Sequence, residues 1–154
     1  MTDPEFLADQ LRRAHTGQAW HGPSLKEILA NVSAGTAAAR PASGVHTIWE
    51  IVRHIAAWLS ACGRRLQGEA LELTADQDWP AGGDTGDTAW QATLASLDAA
   101  TDALERLIAA LPADGLRKGV PGTQYSVRFM LQGVVQHHLY HAGQIALLKK
   151  MVAR

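Results

Sequence analysis

The feature that most constrains this chain is a helix-start pattern, Ser or Thr, two residues, then Glu or Gln, which opens an apolar periodic segment four times. In such a capping box, both side chains accept hydrogen bonds from free N–H groups of the first helical turn. Each occurrence precedes apolar residues with a period near 3.6, which is typical of a helix with one buried face. A fifth segment follows Ser126, which is a simple cap. The pattern predicts an all-α fold. The four pairs are Thr2 with Glu5, Ser24 with Glu27, Thr47 with Glu50, and Thr88 with Gln91.

The helical segments are long enough to form a bundle. Apolar residues keep helical spacing from residue 48 to about 67, from 90 to 111 before Pro112, and from 126 to about 152. With an N-terminal unit that is broken near residues 17–23, they predict a four-helix bundle in a single domain, 1–154. No segment shows the alternation typical of a strand. We expect the connector, residues 68–87, to cross the bundle, and a lid over a site is the alternative.

Composition excludes several classes of partner. Fourteen basic and fifteen acidic residues give a formal charge of −1 without a long basic run, which disfavours nucleic acid. No apolar run approaches the roughly 20 residues that span a bilayer, so no membrane segment is predicted. Cys62 is the single cysteine and excludes an internal disulfide, and the polar N-terminus does not resemble a signal peptide. A reducing, cytoplasmic setting is therefore expected.

Two histidines interrupt the apolar face of the last helix. His137 and His141 are four residues apart, a spacing that places two imidazoles on one helix face within reach of one ion. A zinc-protease motif would need Glu where His138 stands, so that chemistry is excluded. A core histidine with a backbone partner would also explain each position, and the pair alone leaves this alternative open.

A third candidate ligand, His54, interrupts the apolar face of the segment that begins after Thr47. Bundles build metal sites from inward side chains on facing helices. His46 and Cys62 lie eight residues to either side, about 12 Å along a helix, and are excluded as ligands of a shared ion. Glu50 is a candidate base or outer partner of the site, although its role in the capping box explains it equally well.

Four segments carry a resemblance to a known family. They are AWHGPSL at 19–25, HTIWEIVRHIAAW at 46–58, DWP at 78–80 and QHHLYHAGQIALLKK at 136–150. Together they resemble the DinB/YfiT-like family of metal-dependent enzymes over nearly the whole chain. The resemblance implies a four-helix bundle in up-down-down-up order, with the long connector crossing between the second and third helices. It also implies one metal ligand on the second helix and two on the fourth, matched here by His54, His137 and His141.

The resemblance leaves three classes of function open. A transferase using a small thiol of the bacillithiol or mycothiol type is favoured, and a hydrolase acting through metal-bound water is the alternative. A structural metal staple is the third, but three histidines leave a fourth position vacant. We expect a divalent ion, Zn first, with Ni or another transition metal also compatible with nitrogen ligands. Glu50 and His46 are the candidate proton acceptors.

The remaining expectations concern partners and neighbouring residues. The resemblance implies a homodimer that acts on a small molecule. His15, His21, His46 and His138 are predicted not to bind the ion, and His138 is expected on the outer face because it follows His137 by about 100° around the helix. Tyr140 and Gln144 are expected either to hydrogen-bond a ligand imidazole or to pack against a partner subunit.

Overall fold

The structure is a computed structural model that describes residues 1–152. Within that range it contains seven α-helices, one 3-10 turn and no strand, which confirms the all-α prediction. A single isolated bridge joins Gly119 and Ser126. The helices are α1 Asp3–Thr16, α2 Leu25–Leu29, α3 Ala34–Ala38, α4 Ile48–Leu66, α5 Ala75–Asp78, α6 Asp87–Ala109 and α7 Val127–Val152, and the 3-10 turn is Gly115–Arg117.

Local hydrogen bonds explain where the helices begin. The predicted capping boxes are present at the starts of α1, α2 and α4, where Glu5, Glu27 and Glu50 each accept from the backbone N–H of their capping residue. The fourth predicted box is wrong: α6 begins at Asp87, before Thr88, with Gly86 as its N-cap. Asp87 places a carboxylate in the first turn, where the helix dipole favours negative charge.

The four long helices pack around one apolar core. Helices α1 and α4 each contact both α6 and α7. Trp90 of α6 is 1% exposed, and its Nε1 donates to the Val32 carbonyl at 2.8 Å, which ties the short helices to the bundle. Fully burying such a side chain contributes roughly 2 to 3 kcal/mol. The core therefore fixes the relative positions of α4 and α7, the two helices that carry the candidate ligands.

The connector between α4 and α6 contains an unpredicted short helix, α5. Gln77 Oε1 accepts from the Thr74 N–H at 3.0 Å, which stabilises its first turn. The sequence pattern missed α5 because no apolar period follows Thr74. The connector links helices that pack side by side, and its Asp78 and Trp79 contact His54.

None of the helices in 1–152 combines the length and apolar character that crossing a bilayer demands.

Candidate metal centre

Three imidazoles meet between α4 and α7. The Nε2 atom of His137 lies 2.9 Å from Nε2 of His54 and 3.1 Å from Nε2 of His141. His54 and His141 are each 5% exposed, and His137 is half-buried. The structure thus brings together the three residues that the sequence singled out as ligands, and they form a group that could hold a metal ion.

The outer nitrogens of two of these rings are held by hydrogen bonds. His54 Nδ1 lies 2.7 Å from the Asp78 carbonyl oxygen, and His141 Nδ1 lies 2.6 Å from Gln144 Oε1. Both partner atoms are acceptors, so each Nδ1 carries the hydrogen and each Nε2 presents a lone pair. His137 Nε2 can donate to one of those lone pairs at most. At least one lone pair at the centre therefore has no hydrogen to accept, and a bound cation would satisfy this arrangement.

The spacing of the nitrogens also suits an ion. Tetrahedral coordination with Zn–N bonds of about 2.0 Å needs nitrogens roughly 3.3 Å apart. The shortest separations here, 2.9 and 3.1 Å, differ from that by a few tenths of an ångström. Small rotations of the His137 ring would cover this difference, so the residues present fit a divalent ion with nitrogen ligands.

Burial keeps two of the clustered imidazoles, those of His137 and His141, in the form that binds metal. Burial, with added repulsion from His141 and His54, lowers the pKa of His137 to about 4. Burial also lowers the pKa of His141, although its hydrogen bond to Gln144 opposes the shift. Both rings are therefore neutral at pH 7, and a neutral imidazole is the species that coordinates a metal.

A stack of three rings supports the cluster from the connector. The Trp79 ring lies between the imidazoles of His46 and His54, with centroid distances of 3.7 and 3.9 Å and nearly parallel planes. The neighbouring Asp78 accepts from Trp58 Nε1 at 2.6 Å through its carboxylate. Asp78 and Trp79 thus orient His54 through its hydrogen bond and its ring face. They belong to the segment DWP, whose role could not be derived from helical spacing because it lies outside the long helices.

The imidazole cluster lies in the wall of a cavity of about 780 Å³. None of the residues that line it, all within the described part of the chain, is Lys or Arg. Its other walls are mainly apolar and aromatic, and three of the large apolar side chains at its edge are exposed, Tyr140, Leu147 and Met151. A volume of this size accommodates a small organic molecule beside the imidazoles.

The two candidate proton acceptors lie at the edge of this arrangement. His46 lines the cavity, and its Nδ1 is 3.2 Å from Glu50 Oε2. Glu50 also accepts from Arg40 and from the Thr47 N–H. Burial raises the pKa of Glu50, but these hydrogen bonds outweigh it and leave the pKa below its ordinary value. The contacts of Glu50 are those of a cap and an ion pair, and its role as a base stays a prediction.

The expectation that His138 lies on the outer face is wrong. His138 is 0% exposed, and its Nε2 lies 3.3 Å from Nδ1 of His15 on α1. His15 Nε2 in turn lies 2.7 Å from the carboxylate of Asp98 on α6. The step of 100° around α7 from His137 to His138 therefore leads from the contact with α4 to a buried contact with α1. The sequence missed this second cluster because its three members come from three different helices.

The buried Cys62 is unsuited to act as a thiolate nucleophile. Cys62 is 3% exposed, and burial raises the pKa of its thiol to about 11. It is not among the residues that line the cavity at the imidazole cluster. A sulfur nucleophile at this site would therefore come from a separate molecule.

The fold and the site define a helical protein with a three-histidine cluster that could hold a metal ion, at the wall of a cavity. The family model of the DinB superfamily matches residues 18–145, and the chain therefore belongs to that superfamily. The matched range includes all three clustered histidines. Neither the comparison with curated proteins nor the comparison with solved structures finds a significant match.

Proposed function

We propose that the protein is a metal-dependent enzyme in which His54, His137 and His141 hold one divalent ion, Zn first among the candidates. The observation that carries the proposal is the convergence of two Nε2 lone pairs on a third imidazole in the wall of an open cavity. A structural staple closes its shell with four protein ligands, whereas these three leave a position for an exchangeable molecule.

The favoured reaction is transfer involving a small thiol cosubstrate. When bound, a divalent ion with three neutral ligands would favour the thiolate form of a coordinating thiol at neutral pH. Asp78 and Gln144 would hold the ligand rings in the required tautomer. The apolar cavity walls would exclude water and bind the second substrate. Reduced thiols of this kind suit the cytoplasmic setting that the sequence predicts.

Hydrolysis is the second candidate, and the His46–Glu50 pair favours it. His46 lines the cavity and contacts the Glu50 carboxylate at 3.2 Å, which provides a route for taking a proton from a nucleophilic water. Substitution of Glu50 by Gln would keep the cap while removing the proton acceptor. Loss of ester or amide turnover in Glu50→Gln, with unchanged metal content, would support hydrolysis.

Cobalt substitution tests the open position directly. The protein is purified without an affinity tag, its native metal is measured, and Co(II) is exchanged in. Small thiols such as 2-mercaptoethanol are expected to shift the visible bands and add a sulfur-to-cobalt charge-transfer band. Azide serves as a sulfur-free control that should shift the visible bands alone. A spectrum that neither ligand changes would contradict the proposed enzyme site and leave the staple.

We propose further that the four long helices run up-down-down-up. Contacting residues occur in the same sequence order along α1 and α7, and along α4 and α6. Along α4 and α7 they occur in opposite order. A crystal structure would check this order. Two contacts support each helix pair: Asp3–Arg128 and His15–His138 for α1 with α7, Trp49–Thr93 and Gly63–Leu107 for α4 with α6, and His54–His137 and Arg65–Tyr125 for α4 with α7 and the residues just before it.

A homodimer is proposed as the assembly. Tyr140, Leu147 and Met151 are 64%, 61% and 47% exposed on α7, and exposed large apolar groups of this kind suit a protein interface. Light scattering at micromolar concentration should give twice the monomer mass. Leu147→Asp should reduce it to the monomer mass. Lys150→Asp, at an exposed position of the same helix, is the charge-change control and should leave the dimer mass unchanged.

A further inference from the structure

Arg65 is the unusual cation of this protein. It is 8% exposed, and its guanidinium donates from Nε and Nη2 to the Leu71 carbonyl at 2.9 and 2.7 Å and from Nη1 to the Tyr125 hydroxyl at 2.9 Å. Guanidinium has five N–H groups, and these contacts use three of them. Two N–H groups of a buried cation therefore remain available.

No carboxylate of residues 1–152 pairs with this guanidinium. None of the ion pairs formed by residues 1–152 includes Arg65. Its neighbour Arg64 is exposed and pairs with Glu69 at 2.6 Å. Burying a charge without an opposite charge is unfavourable, and buried arginines are usually paired. The face of Trp58, 5.6 Å from the Arg65 Cζ atom, offsets part of this cost.

Arg65 lines a second cavity, of about 240 Å³, that adjoins the metal centre. Trp58 and His137 belong to the walls of both cavities. The other walls of the smaller cavity include the apolar side chains of Phe129 and Val134, and Arg65 is its one charged residue within the described chain. The space has the features of a binding site for a small anion: apolar walls and one fixed, planar donor group.

Gly133 provides a second, independent observation. It lies within α7 and lines the same cavity, and a Cβ built on it would meet no atom within 4 Å. Glycine inside a helix costs roughly 1 kcal/mol relative to alanine. No packing contact explains its presence, whereas the missing side chain leaves the cavity open beside His137.

We propose that the cavity at Arg65 is a carboxylate-binding subsite for a small organic acid. The acid's carboxylate accepts from the two remaining guanidinium N–H groups, and its apolar part packs on Trp58 and Phe129. If the proposed enzyme function holds, the same molecule presents its reacting end to the metal centre across the shared wall. The Trp58 ring is 5.6 Å from the guanidinium carbon and 6.0 Å from the His137 ring centroid, so the two sites are close neighbours.

The test compares phenylacetate with its neutral isostere phenylacetamide by isothermal titration calorimetry, using metal-loaded and metal-free protein. Phenylacetate should bind both forms at least 10-fold more tightly than phenylacetamide, because the binding group is Arg65 and not the ion. Arg65→Gln should weaken phenylacetate binding at least 10-fold. The exposed neighbour provides the matched control: Arg64→Gln should leave the affinity within two-fold.

A second variant tests the cavity without changing Arg65 or its hydrogen bonds. Gly133→Leu should fill the cavity, weaken phenylacetate binding at least 10-fold and leave the melting temperature unchanged or higher. Gly143→Leu, at an exposed glycine of the same helix with equal space for a side chain, is its control. Equal affinity for the acid and the amide, or full affinity in folded Gly133→Leu, would overturn the subsite. Loss of metal binding alone would contradict the proposed function and leave the subsite standing.

Discussion

The neighbouring residues His137 and His138 belong to two histidine clusters with opposite hydrogen-bonding patterns. In the first cluster, the Nδ1 hydrogens of His54 and His141 point outward to acceptors, so lone pairs converge at the centre. In the second, the Asp98 carboxylate accepts from His15 Nε2. The neutral His15 ring then accepts at Nδ1 from His138 Nε2.

The difference shows that the partner of the outer nitrogen determines what a buried histidine can do. The first cluster has too few hydrogens for its acceptors, and a cation would complete it. The second cluster is a chain of ordinary hydrogen bonds that ends at His138 Nδ1, a buried lone pair without a partner among the described residues. Burial lowers the pKa of both His15 and His138, so the two imidazoles of this chain are neutral at pH 7.

The largest expected difference between the clusters is in metal affinity. Replacing His54, His137 or His141 by Ala removes one of three ligands and should weaken Zn binding on the order of 10³-fold, about 4 kcal/mol. His138→Leu should bind Zn as the unchanged protein does. Competition with a chromogenic chelator measures both. Full Zn affinity in His137→Ala would remove the distinction between the clusters.

The second cluster should matter for stability instead. His138→Ala leaves a cavity in the core and removes the partner of His15 Nδ1, so the free energy of unfolding should fall by about 3 kcal/mol. His138→Leu refills most of the volume and should lose less than half as much. Urea denaturation of the metal-free protein gives both values. Equal losses in the two variants would show that packing volume is not the main contribution.

Acidification should reveal the contribution of His138 to stability. Burial, with repulsion from neighbouring histidines, lowers the pKa of His138 to about 3, whereas an unfolded histidine titrates near 6.5. Below that pH the unfolded chain binds more protons, so stability falls as pH falls. In the metal-free protein, His138 by itself should contribute about 3 kcal/mol to the loss between pH 7 and pH 4. His138→Leu should show a shallower dependence in urea titrations, and an unchanged slope would assign the effect to other groups.

The smallest effect concerns the residues that hold the outer nitrogens. Gln144→Ala removes the acceptor for His141 Nδ1 and should weaken Zn binding by roughly 10- to 100-fold. The equivalent change in the other cluster, Asp98→Asn, should alter Zn affinity less than two-fold. Both are measured by the same chelator competition. A loss in Asp98→Asn as large as that in Gln144→Ala would mean that the clusters are coupled.

Much of the fold and the candidate ligand set could be predicted from local rules. A capping box needs side chains three residues apart, and a helical face repeats within four residues, so short stretches of sequence contain this information. The starts of α1, α2 and α4 and the pairing of His137 with His141 follow directly. The start of α6 was missed because Gly86 caps without a side chain, and α5 because it is too short to show a period.

What the tertiary structure decided is which distant groups meet. The sequence by itself determined the helical class, the i,i+4 pair and the apolar faces, because these depend on backbone geometry over a few residues. It could not place Asp78 and Trp79 on His54, His15 next to His138, or Arg65, which has no ion-pair partner in 1–152, beside the candidate metal centre. Those contacts join helices or connectors that lie far apart along the chain, and packing of the whole core selects them.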